Sequence, residues 1–180
     1  CPKLRLISIW GTGTDNVDLK AAGELGVTVT NTPGANALSV AEHTVATLLA
    51  LARQIPLLDK GTRAGEWPRV PMVQMSGKVL GIIGLGAIGT HLARMARGLG
   101  MEVIAWTRNA SEERAAKAGV RFVAKQELIE TSDVVSMNLG LNDETRGFFT
   151  AEDFDRMKPT AFFVNTARGG LIAPGALADA

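Results

Sequence analysis

Apolar positions along this chain fall into short runs of strand type, separated by segments with helical spacing. Leu4-Arg5-Leu6-Ile7-Ser8-Ile9 reads as a buried strand and Val27 to Thr30 as a second, with a short helix from Asp18 to Leu25 between them, closed by Gly26. After the turn cluster Asn31-Thr32-Pro33-Gly34 a long helix is expected. Ser39 and Glu42 have capping-box spacing, and Val45, Leu48, Leu49, Ala52 and Ile55 recur at helical intervals as far as Pro56, which marks an end or a kink. Asp59 to Gly77 shows no period and reads as a long loop or arm, with packing of Trp67 against another subunit as one hypothesis. From Lys78 the alternation is regular. Strands are expected at Val79–Ile83, Glu102–Trp106, Val120–Val123, Asp133–Met137 and Ala161–Asn165. Helices are expected after Gly89, at Ser111–Ala118, Lys125–Glu130 and Ala151–Met157, and from Pro174 onward. Such alternation means an α/β fold, a doubly wound parallel sheet covered on both faces. Ligands in such sheets lie beyond the carboxyl ends of the strands, so the loops after Ile9, Gly84, Trp106, Met137 and Asn165 are the ones to search.

Composition narrows this only a little. The 180 residues are 46% hydrophobic and 21% charged, ordinary for a globular protein with a proper core. A net charge of +1 gives no reason to expect nucleic acid or an acidic membrane surface, and no apolar run reaches the roughly 20 residues of a membrane span. The single cysteine, Cys1, rules out an internal disulfide and fits a reducing, cytoplasmic setting. The chain opens Cys1-Pro2-Lys3 and closes Ala178-Asp179-Ala180 inside an expected helix, so both ends are expected to be cuts in a longer polypeptide.

The strongest chemical signal is Gly84-Leu85-Gly86-Ala87-Ile88-Gly89, a G-x-G-x-x-G turn between a strand and a helix with a second strand behind it. Gly84 permits the turn, Gly86 lets a pyrophosphate approach the backbone, and Gly89 lets helix and strand pack closely. Free N–H groups of the helix's first turn then face the anion. An ordinary glycine turn is the bland alternative. The strand that follows ends Trp106-Thr107-Arg108-Asn109 with no carboxylate to accept from the adenosine ribose. Arg108 and Thr107 would instead meet a 2′-phosphate, which favours NADP(H), with NAD(H) as the alternative; Arg108 could equally be a solvated surface charge. Arg168, in Asn165-Thr166-Ala167-Arg168-Gly169-Gly170, either grips a carboxylate by two parallel hydrogen bonds or forms a structural salt bridge. Of the two histidines, His91 reads as packed or exposed on its helix and His43 follows the capping glutamate, so no convincing proton donor is present. Neither a zinc site nor a G-x-S-x-G elbow appears.

These motifs together resemble the D-isomer-specific 2-hydroxyacid dehydrogenases, the family of glyoxylate/hydroxypyruvate reductases and of D-lactate, phosphoglycerate and formate dehydrogenases. The resemblance runs over essentially the whole chain. It rests on Gly11-Thr12-Gly13-Thr14-Asp15-Asn16-Val17-Asp18, Asn31-Thr32-Pro33-Gly34, Ser39-Val40-Ala41-Glu42-His43-Thr44, the glycine turn, Asp143-Glu144-Thr145-Arg146-Gly147, and Met157-Lys158-Pro159 leading to Asn165–Gly170. It implies that residues 1–34 are the remnant of a flavodoxin-like substrate domain. Residues 35–180 would then be an interdomain helix, which helps form a homodimer in the family, and a Rossmann NAD(P)-binding domain that stops short. By the same resemblance, backbone N–H groups around Thr12 and Gly13 would hold a substrate carboxylate, Asn36 would lie at the substrate, and Arg168 would bind and polarise a 2-oxo acid. The cofactor would be met by Val40, by Gly84 through Gly89, by Thr107 and Arg108, and by the backbone of Thr166 and Ala167. Asn138-Leu139-Gly140 stands where the family often has His-x-Pro beside the adenine, and it is counted to the cofactor site together with Thr145.

The chain also departs from the family. The Glu–His pair whose histidine protonates the carbonyl is absent, as is the acidic residue that usually binds the nicotinamide amide, and Ala173-Pro174 replaces a common acidic pair. The expectation is therefore a D-2-hydroxyacid dehydrogenase whose 180-residue piece binds cofactor weakly and turns over nothing, with glyoxylate or hydroxypyruvate as first substrates. A non-catalytic dinucleotide-binding scaffold on the same fold and a methyltransferase using S-adenosylmethionine are the alternatives.

Overall fold

A computed structural model describes every residue except Asp179. The elements run β1 (Leu6–Ser8), α1 (Leu19–Glu24), β2 (Thr28–Thr30), α2 (Ala37–Ala52), α3 (Ile55–Arg63), β3 (Val79–Ile83), α4 (Ala87–Gly98) and β4 (Glu102–Trp106). They continue with α5 (Glu112–Ala118), β5 (Arg121–Phe122), α6 (Lys125–Thr131), β6 (Val134–Met137), α7 (Ala151–Asp155), β7 (Phe162–Asn165) and a 3₁₀ turn at Gly169–Leu171. β1 and β2 form a separate parallel pair. The other five strands make one parallel sheet in the order β5-β4-β3-β6-β7.

Alternation along the central strands sends side chains to two cores. Leu80 and Ile82 of β3, Val103 and Ala105 of β4 and Val134 of β6 pack with Ala41, Leu48 and Ala52 of α2 and with Leu92, Ala93 and Ala96 of α4. Ile83, Ile104, Val135 and Met137 point the other way, onto Leu128 and Ile129 of α6 and onto Phe149 and Leu171. With both faces covered, the strands read as continuous apolar runs, as a buried parallel sheet requires. Each fully buried Leu or Ile contributes roughly 1.5–3 kcal/mol, so the sheet is a firm platform for the loops at its carboxyl edge.

Several expectations need correction. Leu4 to Ile9 is not a buried strand: β1 is three residues long and Leu6 is 54% exposed, because only β2 pairs with it. The Ser39/Glu42 capping box does not form. The turn through Gly34 feeds α2 three residues earlier, with Asn36 as N-cap and Ala37 N–H donating to Gly34 O (3.1 Å), so Ser39 lies inside the first turn; burial of Ala37 and Ala41 favours that start. Pro56 neither ends nor kinks this helix. α2 stops at Ala52, Gln54 takes a left-handed conformation (φ 53°), and Pro56 sits in the first turn of α3, where its missing N–H costs nothing. α3 thus claims the first part of the expected arm, and Ile55 is exposed on it rather than buried on α2. Pro174 to Ala178 form consecutive turns instead of a helix, with Gly175 at φ +83°; the expected helix also extends onto Asp179, outside the described residues.

Candidate active site

β3 ends at Ile83 and is followed by Gly84, whose φ of +103° suits glycine alone. A Cβ there would lie 2.8 Å from both the carbonyl carbon and the oxygen of Asn138, at the end of β6. This is the switch point of the sheet: β4 and β5 lie to one side of β3, β6 and β7 to the other. Gly84 N–H donates to Trp106 O (2.8 Å) and Asn138 N–H to Ile83 O (2.8 Å), fixing both neighbours against the turn. Gly89 of α4 packs so closely on the Gly84 carbonyl that no Cβ would fit. At Gly86 the space a Cβ would take is open. The first bonds of the helix start only with Thr90 N–H to Gly86 O (2.9 Å), so the preceding N–H groups are free to face an anion.

Beside this turn opens a cleft of about 740 Å³, within the range of cofactor and substrate sites. Thr12, Gly13, Asn36 and Val40 line one wall, and Gly86, Ala87, Ile88, Asn138, Leu139 and Gly140 line the other. Thr166, Ala167 and Arg168 close it at the end of β7. That loop is shaped by Asn165, whose Oδ1 accepts from Ala167 N–H (3.0 Å) while its Nδ2 donates to Arg168 O (2.9 Å). The Thr44 hydroxyl donates to Val40 O (2.8 Å) and shares a 2.8 Å hydrogen bond with the Thr166 hydroxyl, tying α2 to the same loop.

Arg168 forms the salt bridge that one of its two sequence readings expected. Its Nε donates to Asp15 Oδ1 and Oδ2 (3.0 and 3.2 Å) and its Nη1 to Ala167 O (3.0 Å), yet it borders the cleft. The guanidinium lies where a Cβ on Gly13 would be, so residue 13 must be small for the arginine to stay there. The hydrogen bond from Arg168 holds the Asp15 carboxyl below its usual range, helped by a backbone bond and by the charges of Arg168 and Arg146. Thr12 and Gly13 N–H groups have no hydrogen-bond partner among the described residues. The cleft therefore offers unspent donors on both walls and one oriented cation.

Other expected residues lie elsewhere. Leu85 lines a neighbouring pocket between α4 and α5, with His91, Arg114 and Lys117, that shares Gly86 and Ala87 with the cleft. Thr107 and Arg108 lie past the end of β4, and Arg108 is ion-paired with Glu144. Thr145 is buried: its hydroxyl donates to Gly140 O (2.7 Å) and accepts from Asn142 N–H (2.8 Å), so it shapes the cleft loop without lining it. His43 is exposed on α2, and no histidine lines the cleft among the described residues. Sequence reasoning missed the part of Asp15 and of the fully exposed Trp10 at the cleft, although both sit in or beside the glycine-rich segment after β1. It also missed that Asn138 Nδ2 is held by Ser136 (3.0 Å to Oγ), leaving the buried Oδ1 without a partner. The tight cradle at Gly84 and Gly89, the open face at Gly86 and this orphan acceptor together fit a dinucleotide. No group of three or more metal-ligating side chains occurs among the described residues, and no helix there is long and apolar enough to cross a membrane.

Residues 45–180 match the family model described as D-isomer specific 2-hydroxyacid dehydrogenase, NAD binding domain. The chain belongs to this family. The family's D-3-phosphoglycerate dehydrogenase from Archaeoglobus fulgidus is 38% identical over 179 residues, covering 98% of this chain and 34% of the relative. The glyoxylate reductase of Aeropyrum pernix is 38% identical over 188 residues, covering 99% of this chain and 56% of the relative. Among solved structures, a glyoxylate reductase from Paecilomyes thermophila superposes with a TM-score of 0.89 at 36% identity, over 99% of this chain and 55% of that one. A D-lactate dehydrogenase from Aquifex aeolicus, complexed with NAD and lactic acid, gives 0.88 at 30% identity over 98% and 54%. The chain thus spans between a third and somewhat over half of these D-2-hydroxyacid dehydrogenases.

Proposed function

We propose that this chain is the cofactor-binding part of a D-2-hydroxyacid dehydrogenase that transfers hydride between NAD(P)H and a small 2-oxo acid, with glyoxylate or hydroxypyruvate as first candidates. One observation carries the reading: the glycine turn with its free helix N–H groups and the oriented guanidinium of Arg168 border the same cleft. When bound, the dinucleotide supplies or accepts the hydride. The chain's residues do the rest. The free N–H groups at the start of α4 hold the pyrophosphate, and Val40, Thr166 and Ala167 flank the space left for the nicotinamide. Thr12 and Gly13 N–H groups take the substrate carboxylate, and Asn36 lies close enough for the Thr12 hydroxyl to donate to its Oδ1 (3.5 Å). Arg168 stabilises charge developing on the carbonyl oxygen. Reduction also needs a proton on that oxygen. Neither histidine borders the cleft, so this chain alone is expected to bind rather than turn over.

The relatives act on different acids by name, D-3-phosphoglycerate, glyoxylate and D-lactate among them, and glyoxylate and hydroxypyruvate are the first two to test. A homodimer is part of the proposal, in a reducing, cytoplasmic setting. Its support is the apolar surface left on and after α2 and α3, where Leu51, Ile55, Leu57 and Trp67 are all exposed. The site is tested by titrating the chain with NADH and then with glyoxylate, reading nicotinamide fluorescence. Wild type should show a second change on adding glyoxylate, and Arg168→Ala should bind NADH but lose that change. Retention of the glyoxylate response in Arg168→Ala would refute the assignment of Arg168.

A further inference from the structure

Arg108 and Glu144 come from loops that follow β4 and β6, the two strands flanking β3, so their ion pair bridges the loops on either side of the strand that carries the glycine turn. Both loops are held in place. Arg114 donates to Leu85 O (2.6 Å) and Asn109 O (3.0 Å), fastening the Arg108 loop to the turn. Asn142 Oδ1 accepts from the N–H groups of Glu144 (3.1 Å) and Thr145 (3.0 Å), and the Thr145 hydroxyl anchors that loop to Gly140 at the cleft wall. Glu144 is therefore a carboxylate presented from a braced turn to the basic residue at the end of β4 that would meet a 2′-phosphate.

We propose that Glu144, acting through Arg108, sets the choice between NAD(H) and NADP(H). This rests on the dinucleotide reading of the cleft. While the pair is closed, the charge of Arg108 is already answered. A 2′-phosphate must then displace one anion from the guanidinium and sit beside it, whereas an unmodified ribose meets no such cost. The missing carboxylate at the end of β4 is thus made up by one from the loop after β6, and the wild-type site favours NAD(H), the reverse of the NADP(H) preference that Arg108 and Thr107 suggest from the sequence alone. Removing that carboxylate frees Arg108 for the phosphate.

The test measures NADH and NADPH affinities of the full chain by energy transfer from tryptophan, for wild type, Glu144→Gln, Arg108→Gln and the double variant, each first checked for cooperative unfolding. Glu144→Gln is expected to shift the affinity ratio toward NADPH by about five- to tenfold, the scale of one unit charge removed from close beside a dianion at a solvated site. In the Arg108→Gln background the same change should shift the ratio by less than about twofold, because the arginine that carries the effect is gone. An unchanged ratio in Glu144→Gln, or an equal shift in both backgrounds, overturns the proposal while leaving the dinucleotide site intact. Failure of folded wild type to bind either cofactor overturns that site and this inference with it.

Discussion

Gly84 shows how much a single backbone position decides. Its φ of +103° and the Asn138 carbonyl 2.8 Å from any added Cβ mean that Gly84→Ala must strain the turn and push β6 away from β3. We expect a loss of about 1–3 kcal/mol in urea unfolding, with NADH affinity falling further than stability does; unchanged affinity would show that the turn does not cradle the cofactor. Residues of this kind were legible in the sequence because a G-x-G-x-x-G turn is a local demand of the backbone. Asp15 and Glu144 were not. Each acts by meeting an arginine from another loop, Arg168 or Arg108, and no local spacing announces a partner 153 or 36 residues away.

The pattern of elements was read well where period and punctuation agreed. β4 runs from Glu102 to Trp106 as expected, and α5 begins at a Ser111 cap and ends at Gly119 in the left-handed conformation (φ 64°). It failed where tertiary burial outweighed a local signal, as when buried Ala37 and Ala41 drew the start of α2 ahead of Ser39. Asp133, just before β6, joins three elements. Its carboxylate accepts from Val79 N–H (2.8 Å) at the start of β3 and from Lys158 (3.1 Å) before β7, with Lys78 3.8 Å away. Burial pushes its pKa up, but the Val79 hydrogen bond and the two lysines outweigh it and hold the group below the ordinary value of 3.8. A lowered folded-state pKa gives stability that is present above the unfolded value and lost as pH falls through the folded one. Asp133→Asn should therefore cost about 1–2 kcal/mol at neutral pH. The gap from wild type should close below the carboxylate range, as read from unfolding midpoints against pH. A gap that persists in acid would point to packing instead of charge.

At the scale of the molecule, a covered five-stranded sheet carries an exposed two-stranded unit, and the cleft lies between them with the Asp15–Arg168 pair across it. The fold class followed from the alternation of strands and helices. The closing of that cleft did not, since it depends on how the first 34 residues come to rest against the sheet. The exposed apolar surface around α3 predicts self-association: sedimentation equilibrium should find a dimer, and Trp67→Arg should weaken it by at least about tenfold, the effect of burying one unpaired charge at an interface. A monomeric wild type would contradict that part of the proposal. The central claim is that the switch-point cleft holds a nicotinamide dinucleotide, and titration of the folded chain with NADH tests it most directly. Trp10 stands at the cleft rim as the donor for energy transfer. The account predicts saturable transfer with one site per chain, reversed by excess NAD. Unsaturable transfer, or none, in a chain that unfolds cooperatively would contradict it.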